Sequence, residues 1–342
     1  MTETLHNEPA AVSPVPFART LRSVAGYAII TAVMLISPLF VFLPAALFYC
    51  GLRHGRRIAL IALPLGAILA VLLAVPAAQQ TSTAAANMTL GYLVALILGV
   101  GLPSLFVLPM VQRGEPFGRV LLTSMLLSVA GLGVTEVMMR TAAASSPYSG
   151  YLASARGSAE KIVVTYQQAG VPPEILRMIR HWLDIAIYCL PAFLLIDVAL
   201  MFVLSLVMIA RLRAWREFVE RRHAAFNSPY LFRNLSLPEW LLFGFVVGGL
   251  SPLASGMPQR IGANILAVVT FLYLLQGLAI VRSFLAAAGA GFAGVTFAYL
   301  MLGLLTLTGI GPLLLSIAGL FDSFFDFRKF KRKDHSDESH LD

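Results

Sequence analysis

Charged side chains are scarce in this sequence. Asp, Glu, Lys and Arg together make up 12% of the 342 residues, whereas hydrophobic residues make up 58%. A soluble domain averages about 25% charged and about 45–50% apolar residues. A soluble protein of this composition would lack the polar surface that keeps a chain in solution. The shortage of charge therefore excludes an ordinary soluble domain and indicates that apolar residues face lipid.

Cysteines and catalytic motifs are also lacking. The two cysteines, Cys50 and Cys189, lie inside apolar stretches, so we expect small buried side chains rather than a disulfide or a metal site. The six histidines form no HExxH pair, and there is no phosphate-binding loop, nucleophile elbow or dinucleotide-binding glycine motif. We predict that the protein is not an enzyme and expect no catalytic, cofactor or metal site. An intramembrane enzyme with an unfamiliar site stays open as an alternative.

Long apolar runs, in contrast, are abundant. A helix that spans a bilayer needs about 20 apolar residues, and its backbone groups must pair within the segment. The candidate runs are 58–77, 90–111, 120–139, 185–210, 240–253, 261–281 and 284–308, of which 240–253 is short. Two terminal runs, 24–52 and 309–327, contain prolines that interrupt a helix. Each could form one kinked span or a hairpin of short helices.

The basic residues cluster between these runs, which is typical of cytoplasmic loops. Placing the clusters on one side requires a break near Pro38 and a turn at residues 309–312, and it puts 19 of the 25 Lys and Arg residues inside. The net charge of +8 therefore predicts topology rather than nucleic-acid binding. We predict an all-α, polytopic transmembrane helical bundle of about eight to ten membrane segments, with both termini cytoplasmic.

The predicted organisation has three parts. Residues 1–20 form a cytoplasmic tail, residues 21–327 the transmembrane domain, and residues 328–342 a basic and then acidic cytoplasmic tail. Within the domain, residues 140–180 are external. Gly170 is a plausible helix end, and Pro172 and Pro173 precede another helix, which favours amphipathic interfacial helices over a simple external loop.

The basic loop 211–237 is predicted to be cytoplasmic. Its arginines either fix the topology and contact anionic lipid headgroups, or form a docking surface for a partner protein. At its end, Ser236 and Glu239 have the spacing of a capping box, which predicts a helix that begins there.

Ionisable residues within apolar runs are the main indication of a site, because they are costly in hydrocarbon. Asp197 lies near the middle of the 185–210 run, and Glu136 and Asp184 lie towards the outer ends of their segments. Because a central Asp costs about 2.5–3.5 kcal/mol, we expect Asp197 to face the bundle interior. The candidate pocket residues are Glu136, Asp184, Asp197, Asn264, Tyr273 and Gln276. The alternative is that they form structural hydrogen bonds between helices.

A second polar group lies near the C-terminus. Asp322 and Asp326 are four residues apart and therefore share a helix face, and Arg328 follows them. We expect these residues to form a structural interface in which Asp322 pairs with a basic residue. A solvated helix end is the alternative.

Two segments, 273–281 (YLLQGLAIV) and 319–328 (GLFDSFFDFR), resemble segments of a known family of membrane proteins. The chain resembles the YybS-like family of uncharacterised bacterial multi-pass membrane proteins over roughly residues 20–333. Residues 231–240 and the GLRHG segment at 51–55 fit the same pattern. The resemblance implies a location in the bacterial cytoplasmic (inner) membrane. That family is distantly similar in fold to the S components of energy-coupling-factor transporters, and fold alone does not imply function.

Two functional hypotheses follow. The first is a small-solute binding or transport-type protein with a pocket between helices, whose acidic lining would suit a cationic or polyhydroxylated ligand. The second is a non-transporting membrane scaffold that recruits membrane or cytoplasmic partners through residues 211–233 and the C-terminal tail. In both cases the expected surroundings are the lipid bilayer, without nucleic acid.

Overall fold

The described residues of the computed structural model are 17–143, 146–220, 229–306 and 309–325, and they contain helices and turns but no strand. This confirms the all-α prediction. The helices are α1 Phe17–Ile36, α2 Leu43–His54, α3 Arg56–Gln79, α4 Thr83–Leu96, α5 Leu102–Arg113, α6 Phe117–Ala143, α7 Pro147–Gln168, α8 Pro173–Tyr188, α9 Leu190–Arg211, α10 Arg213–Glu220, α11 Leu241–Gly249, α12 Met257–Ala287, α13 Phe292–Thr306 and α14 Ile310–Phe325.

Five helical segments in the described part of the chain are long and apolar enough to cross a membrane. They are Arg56–Gln79, Thr83–Arg113, Phe117–Ala142, Leu190–Arg211 and Met257–Ala287. The second comprises α4 and α5, joined by a π-helical turn at Ile97–Gly101. Helices α13 and α14 qualify as one bent span, and Thr20–Ile36, Pro38–His54 and Leu241–Leu253 are shorter apolar helices. The predicted total of eight to ten segments is reached only when these shorter helices are counted.

The N-terminal run 24–52, for which the sequence left one kinked span or a pair of short helices open, forms two helices. Helix α1 ends at Ile36, and the Ser37 hydroxyl accepts a hydrogen bond from the Leu39 amide at 3.3 Å before a short 3-10 turn, Pro38–Phe42, leads into α2. Proline at position 38 has no N–H to continue the first helix. Helix α1 also begins at Phe17, inside the segment 1–20 that we expected to be a tail.

Three predicted boundaries were wrong. The 185–210 run is not one span, because α8 ends at Tyr188 and α9 begins at Leu190. The 284–308 run starts later, since α12 continues to Ala287. The capping box does not form: α11 begins at Leu241, after a turn in which the Pro238 carbonyl accepts from the Leu241 amide and the Glu239 carbonyl accepts from the Leu242 amide.

The predicted external segment contains two helices with the expected boundary. Gly170, in the left-handed region with φ of 76°, ends the turn after α7, and α8 begins at Pro173. Helix α8 is amphipathic, and its exposed apolar side chains recur every three or four residues at Ile175, Met178, Trp182 and Ile185. An exposed apolar face of this kind is typical of a helix that lies in the membrane interface. We call the end of the bundle that holds α7 and α8 the outer end, following the predicted orientation.

Aromatic contacts hold the opposite end together. The buried Tyr230 ring packs edge-on against Trp215, with ring centroids 5.4 Å apart, and lies 6.0 Å from the Phe117 ring. Burial raises the pKa of Tyr230 well above its ordinary value, with a smaller contribution from Glu115, so its hydroxyl stays protonated. The described part of the basic loop is therefore anchored to the bundle. Residues 221–228 of that loop lie outside the described residues.

Candidate functional site

The candidate pocket residues occupy separate places in the fold. Glu136 lies at the junction of α6 with α7, Asn264 at the break between α8 and α9, and Asp184 in a cleft between α7 and α8. Tyr273 and Gln276 are buried where α12 packs on α14, and Asp197 is on the exposed side of α9. The structure therefore brings only some of these residues together.

Glu136 fixes the start of α7. Its carboxylate accepts hydrogen bonds from the Ser146 hydroxyl and from the Tyr148 amide at 3.1 Å, and forms an ion pair with Arg140 at 2.7 Å. A carboxylate at a helix N-terminus pairs with amides that have no partner inside the helix. These contacts match the structural alternative for this residue.

Asn264 bridges the break between α8 and α9. Its Oδ1 accepts from the Ala192 amide at 2.9 Å, and its Nδ2 donates to the Tyr188 carbonyl at 3.3 Å. In a continuous helix these two backbone groups would bond to each other, because they are four residues apart. The Asn264 amide takes the place of that bond, so the break leaves neither group unsatisfied.

Gln276 is the centre of a buried polar cluster. Its Oε1 accepts from the Leu237 amide, and its Nε2 donates to Asp322 Oδ2, both at 3.0 Å. The Ser323 hydroxyl lies 3.4 Å from the same nitrogen. The cluster joins three segments, since Leu237 precedes α11 and Asp322 belongs to α14.

Two glycines allow this close approach. A Cβ at Gly277 would lie 2.1 Å from the Leu315 carbonyl oxygen, and one at Gly319 would lie 2.0 Å from the Tyr273 carbonyl oxygen. The Tyr273 ring is buried beside this contact. Asp322 is thus part of a structural interface, with Gln276 as one partner. Its pairing with a basic residue stays a prediction, and Asp326 and Arg328 lie outside the described residues.

The prediction for Asp197 was wrong in one respect. We expected the side chain to face the bundle interior, but it is exposed, while the adjacent Val198 and Ala199 are buried. Phe193, Leu200 and Leu204 are exposed on α9 as well, at four, three and seven residues from Asp197, which places all four on one face. Asp197 therefore lies on an apolar face of α9, where a charged side chain in contact with lipid is costly.

Asp184 lines a polar cleft of about 510 Å³. We use the name polar cleft for the space between α7, α8 and the start of α12. Its charged and aromatic lining residues are Arg156, Glu160, Arg180, Asp184, Tyr188 and Arg260. Three arginines face two carboxylates, so the acidic bias that we expected of the pocket is not present in this cleft.

An apolar groove of about 450 Å³ adjoins the polar cleft. We use the name apolar groove for the space between α9 and α12, whose lining includes Pro191, Leu195, Ile261, Ile265 and Val268. Arg260 lines both spaces. Its guanidinium donates to the Tyr148 hydroxyl at 3.3 Å and lies 5.6 Å from the centroid of the Tyr188 ring.

Three arginines of the cleft were missed in the sequence, namely Arg156, Arg180 and Arg260. For Arg156 and Arg180, the spacing of charged residues in the sequence could have indicated the site. Arg156 and Glu160, like Arg180 and Asp184, are four residues apart, so each pair shares a helix face. The position of Arg260 beside them depends on the packing of α12 and had no such signal. Guanidinium and carboxylate groups on one cleft can bind a ligand that carries both an anion and hydroxyl groups.

The long apolar helices and their exposed apolar side chains define a polytopic helical membrane protein. Residues 24–323 match the model of a family described as predicted membrane proteins, DUF2232, and the chain belongs to this family. Searches of curated proteins and of solved structures found no match to this chain.

Proposed function

We propose that the protein is a non-enzymatic, small-solute binding or transport-type component of the bacterial cytoplasmic membrane, and that its ligand binds in the polar cleft. The observation that carries this proposal is the convergence of Arg156, Arg180 and Arg260 with Glu160 and Asp184 around one cleft of about 510 Å³. Ligand sites of small molecules commonly measure about 300–1,000 Å³.

The break between α8 and α9 supports the transport-type part of the proposal. Tyr188, just before the break, lines the polar cleft, and Pro191, just after it, lines the apolar groove. Membrane transporters often form their sites at discontinuous helices. A likeness to the S components of energy-coupling-factor transporters belongs to the same proposal.

A thermal-shift screen of soluble anions and polyols on the purified protein tests this proposal. A ligand that binds only the folded state stabilises it by mass action, by about 2.7 kcal/mol at a concentration of 100 Kd. We expect at least one solute to raise the melting temperature of the wild type and to lose this effect in Arg180→Gln.

Arg177→Gln is the matched control, because Arg177 is on the same helix, is highly exposed and does not line the cleft. Equal ligand shifts in Arg180→Gln and Arg177→Gln would place the ligand elsewhere and contradict the proposal. The absence of any shift across the screen would also contradict it.

The second candidate function, a membrane scaffold, is favoured by Asp197. A carboxyl group exposed on an apolar helix face in the membrane is costly, and a partner helix that donates a hydrogen bond to it would remove that cost. The neighbouring exposed residues Phe193, Leu200 and Leu204 would supply the apolar part of the same contact.

Asp197→Leu tests the scaffold function. Insertion of a central Asp into a membrane helix costs about 2.5–3.5 kcal/mol, and a Leu does not carry this cost. The variant should therefore insert and fold at least as well as the wild type. If a partner covers Asp197, native electrophoresis in mild detergent will show a complex for the wild type and a smaller species for Asp197→Leu. Leu200→Ala is the control for loss of apolar area alone. Identical migration of wild type and Asp197→Leu would exclude this partner contact.

A further inference from the structure

The polar cleft and the apolar groove adjoin at Arg260. Arg260 lines both spaces, and its hydrogen bond to Tyr148 and its contact with the Tyr188 ring hold it between them. A small polar solute would fill only the cleft. A ligand that occupies both spaces needs a polar, charged end and an apolar end.

The charges of the cleft specify the polar end. Three arginines outnumber the two carboxylates, and a guanidinium binds phosphate oxygens through paired hydrogen bonds. The carboxylates of Glu160 and Asp184 would repel a bare anion but accept hydrogen bonds from hydroxyl groups. The cleft therefore fits a phosphodiester that carries a hydroxylated substituent.

The groove specifies the other end. Apart from Arg260, Tyr148 and Asn264, its lining is apolar. At its edge, Met257 and Ile261 are 70% and 56% exposed, so the groove opens on the surface of the bundle where apolar side chains face outward. An acyl chain can enter the groove from this side without crossing a polar barrier.

The position of α8 places the cleft at the depth of lipid headgroups. Its exposed apolar face, with Met178 and Trp182, is suited to the boundary between headgroups and acyl chains. Arg180 and Asp184, on the same helix, line the polar cleft. A headgroup in the cleft and an acyl chain in the groove would thus keep the depths that they have in the bilayer.

We infer that the site binds an anionic phospholipid with a hydroxylated headgroup, whose phosphate contacts the arginines of the polar cleft and whose acyl chain occupies the apolar groove. This inference rests on the proposed function, because it assigns a ligand class to the same cleft.

The experiment measures the melting temperature of the full-length protein in a neutral detergent with three probes. The probes are dioctanoyl phosphatidylglycerol, dioctanoyl phosphatidylcholine with the same chains, and glycerol 3-phosphate without chains. We expect a saturable increase in melting temperature with phosphatidylglycerol, and no comparable increase with either of the other two probes.

Variants then test whether the headgroup binds in the polar cleft and the acyl chain in the apolar groove. Arg156→Gln and Arg180→Gln should each weaken the apparent affinity for phosphatidylglycerol about fivefold, because each removes one attraction between a basic residue and an anionic lipid. Ile261→Trp should weaken it by filling the edge of the groove. Since Ile261 is exposed, the larger side chain does not disturb the core. The matched controls are Arg177→Gln and Val137→Trp, which change exposed residues outside both spaces.

The possible results separate the inference from the proposed function. If glycerol 3-phosphate produces the same cleft-dependent shift as the lipid, solute binding in the cleft stands and the lipid inference is overturned. If phosphatidylcholine matches phosphatidylglycerol, the arginines do not select the headgroup, and the inference is again overturned. If no probe or soluble solute produces a shift that depends on Arg180, both fail.

Discussion

Gly319→Ala is expected to destabilise the protein by at least about 3 kcal/mol, the upper end of the usual cost of overpacking. The added Cβ would lie 2.0 Å from the Tyr273 carbonyl oxygen and 2.9 Å from the Gly277 amide nitrogen. Because both neighbours are backbone atoms of α12, no side-chain rotation can relieve the overlap. Helix α14 would have to move away from α12, which would also lengthen the hydrogen bond between Gln276 and Asp322.

Thermal unfolding of the purified variant measures this effect. Gly133→Ala is the matched control, since Gly133 is also in a membrane helix but a Cβ there meets nothing within 4 Å. Alanine in a helix interior is about 0.5–1 kcal/mol more favourable than glycine, so the control should be neutral or slightly stabilising. Similar melting temperatures for Gly319→Ala and Gly133→Ala would show that α12 and α14 do not pack at this distance.

Gln276→Met should have the next largest effect, although the two side chains are similar in length. The substitution removes the acceptor of the Leu237 amide and a donor to Asp322, both of which are buried. Loss of a partner costs about 1–3 kcal/mol for each buried polar group, and more for a charged one. The loop before α11 and the end of α14 should loosen together, because both are bonded to this one side chain.

Limited proteolysis measures the loosening of the two segments, and thermal unfolding measures the loss of stability. We expect faster cleavage in residues 229–240 together with a lower melting temperature. Gln79→Met, at the exposed end of α3, is the control for the same chemical change outside the core. If Gln276→Met melts like the wild type, the buried cluster does not stabilise the junction of α11, α12 and α14.

The candidate site was only partly predictable, for a reason that Asn264 and Asp184 illustrate. Asn264 was recognised as a polar residue in an apolar run, but its partners, Tyr188 and Ala192, are more than 70 residues away in the chain. Its role depends on a helix break that the apolar run 185–210 conceals. Asp184 was also recognised, whereas its neighbour Arg260 comes from another helix and could not be assigned to the same cleft.

Asp197 was also recognised in the sequence, but the direction in which its side chain points was predicted wrongly. The cost of a charge in hydrocarbon suggested an inward orientation, but that argument considers a chain without partners. Which face of α9 is covered depends on how it packs against the other helices, and the packing leaves Asp197 outside. Energetic reasoning from one helix can identify an unusual residue without fixing the direction in which it points.

The sequence by itself determined that this is an all-α membrane protein, that Pro38 interrupts its N-terminal apolar run by a kink or a break, and that a helix ends near Gly170. These features depend on composition and on local backbone geometry, which neighbouring residues decide. Only the tertiary structure decided that α8 and α9 are separate, that Gln276 pairs with Asp322, and that three arginines meet two carboxylates at one cleft. Those features depend on contacts between segments distant in sequence, and an apolar run has the same appearance whichever of its faces is buried.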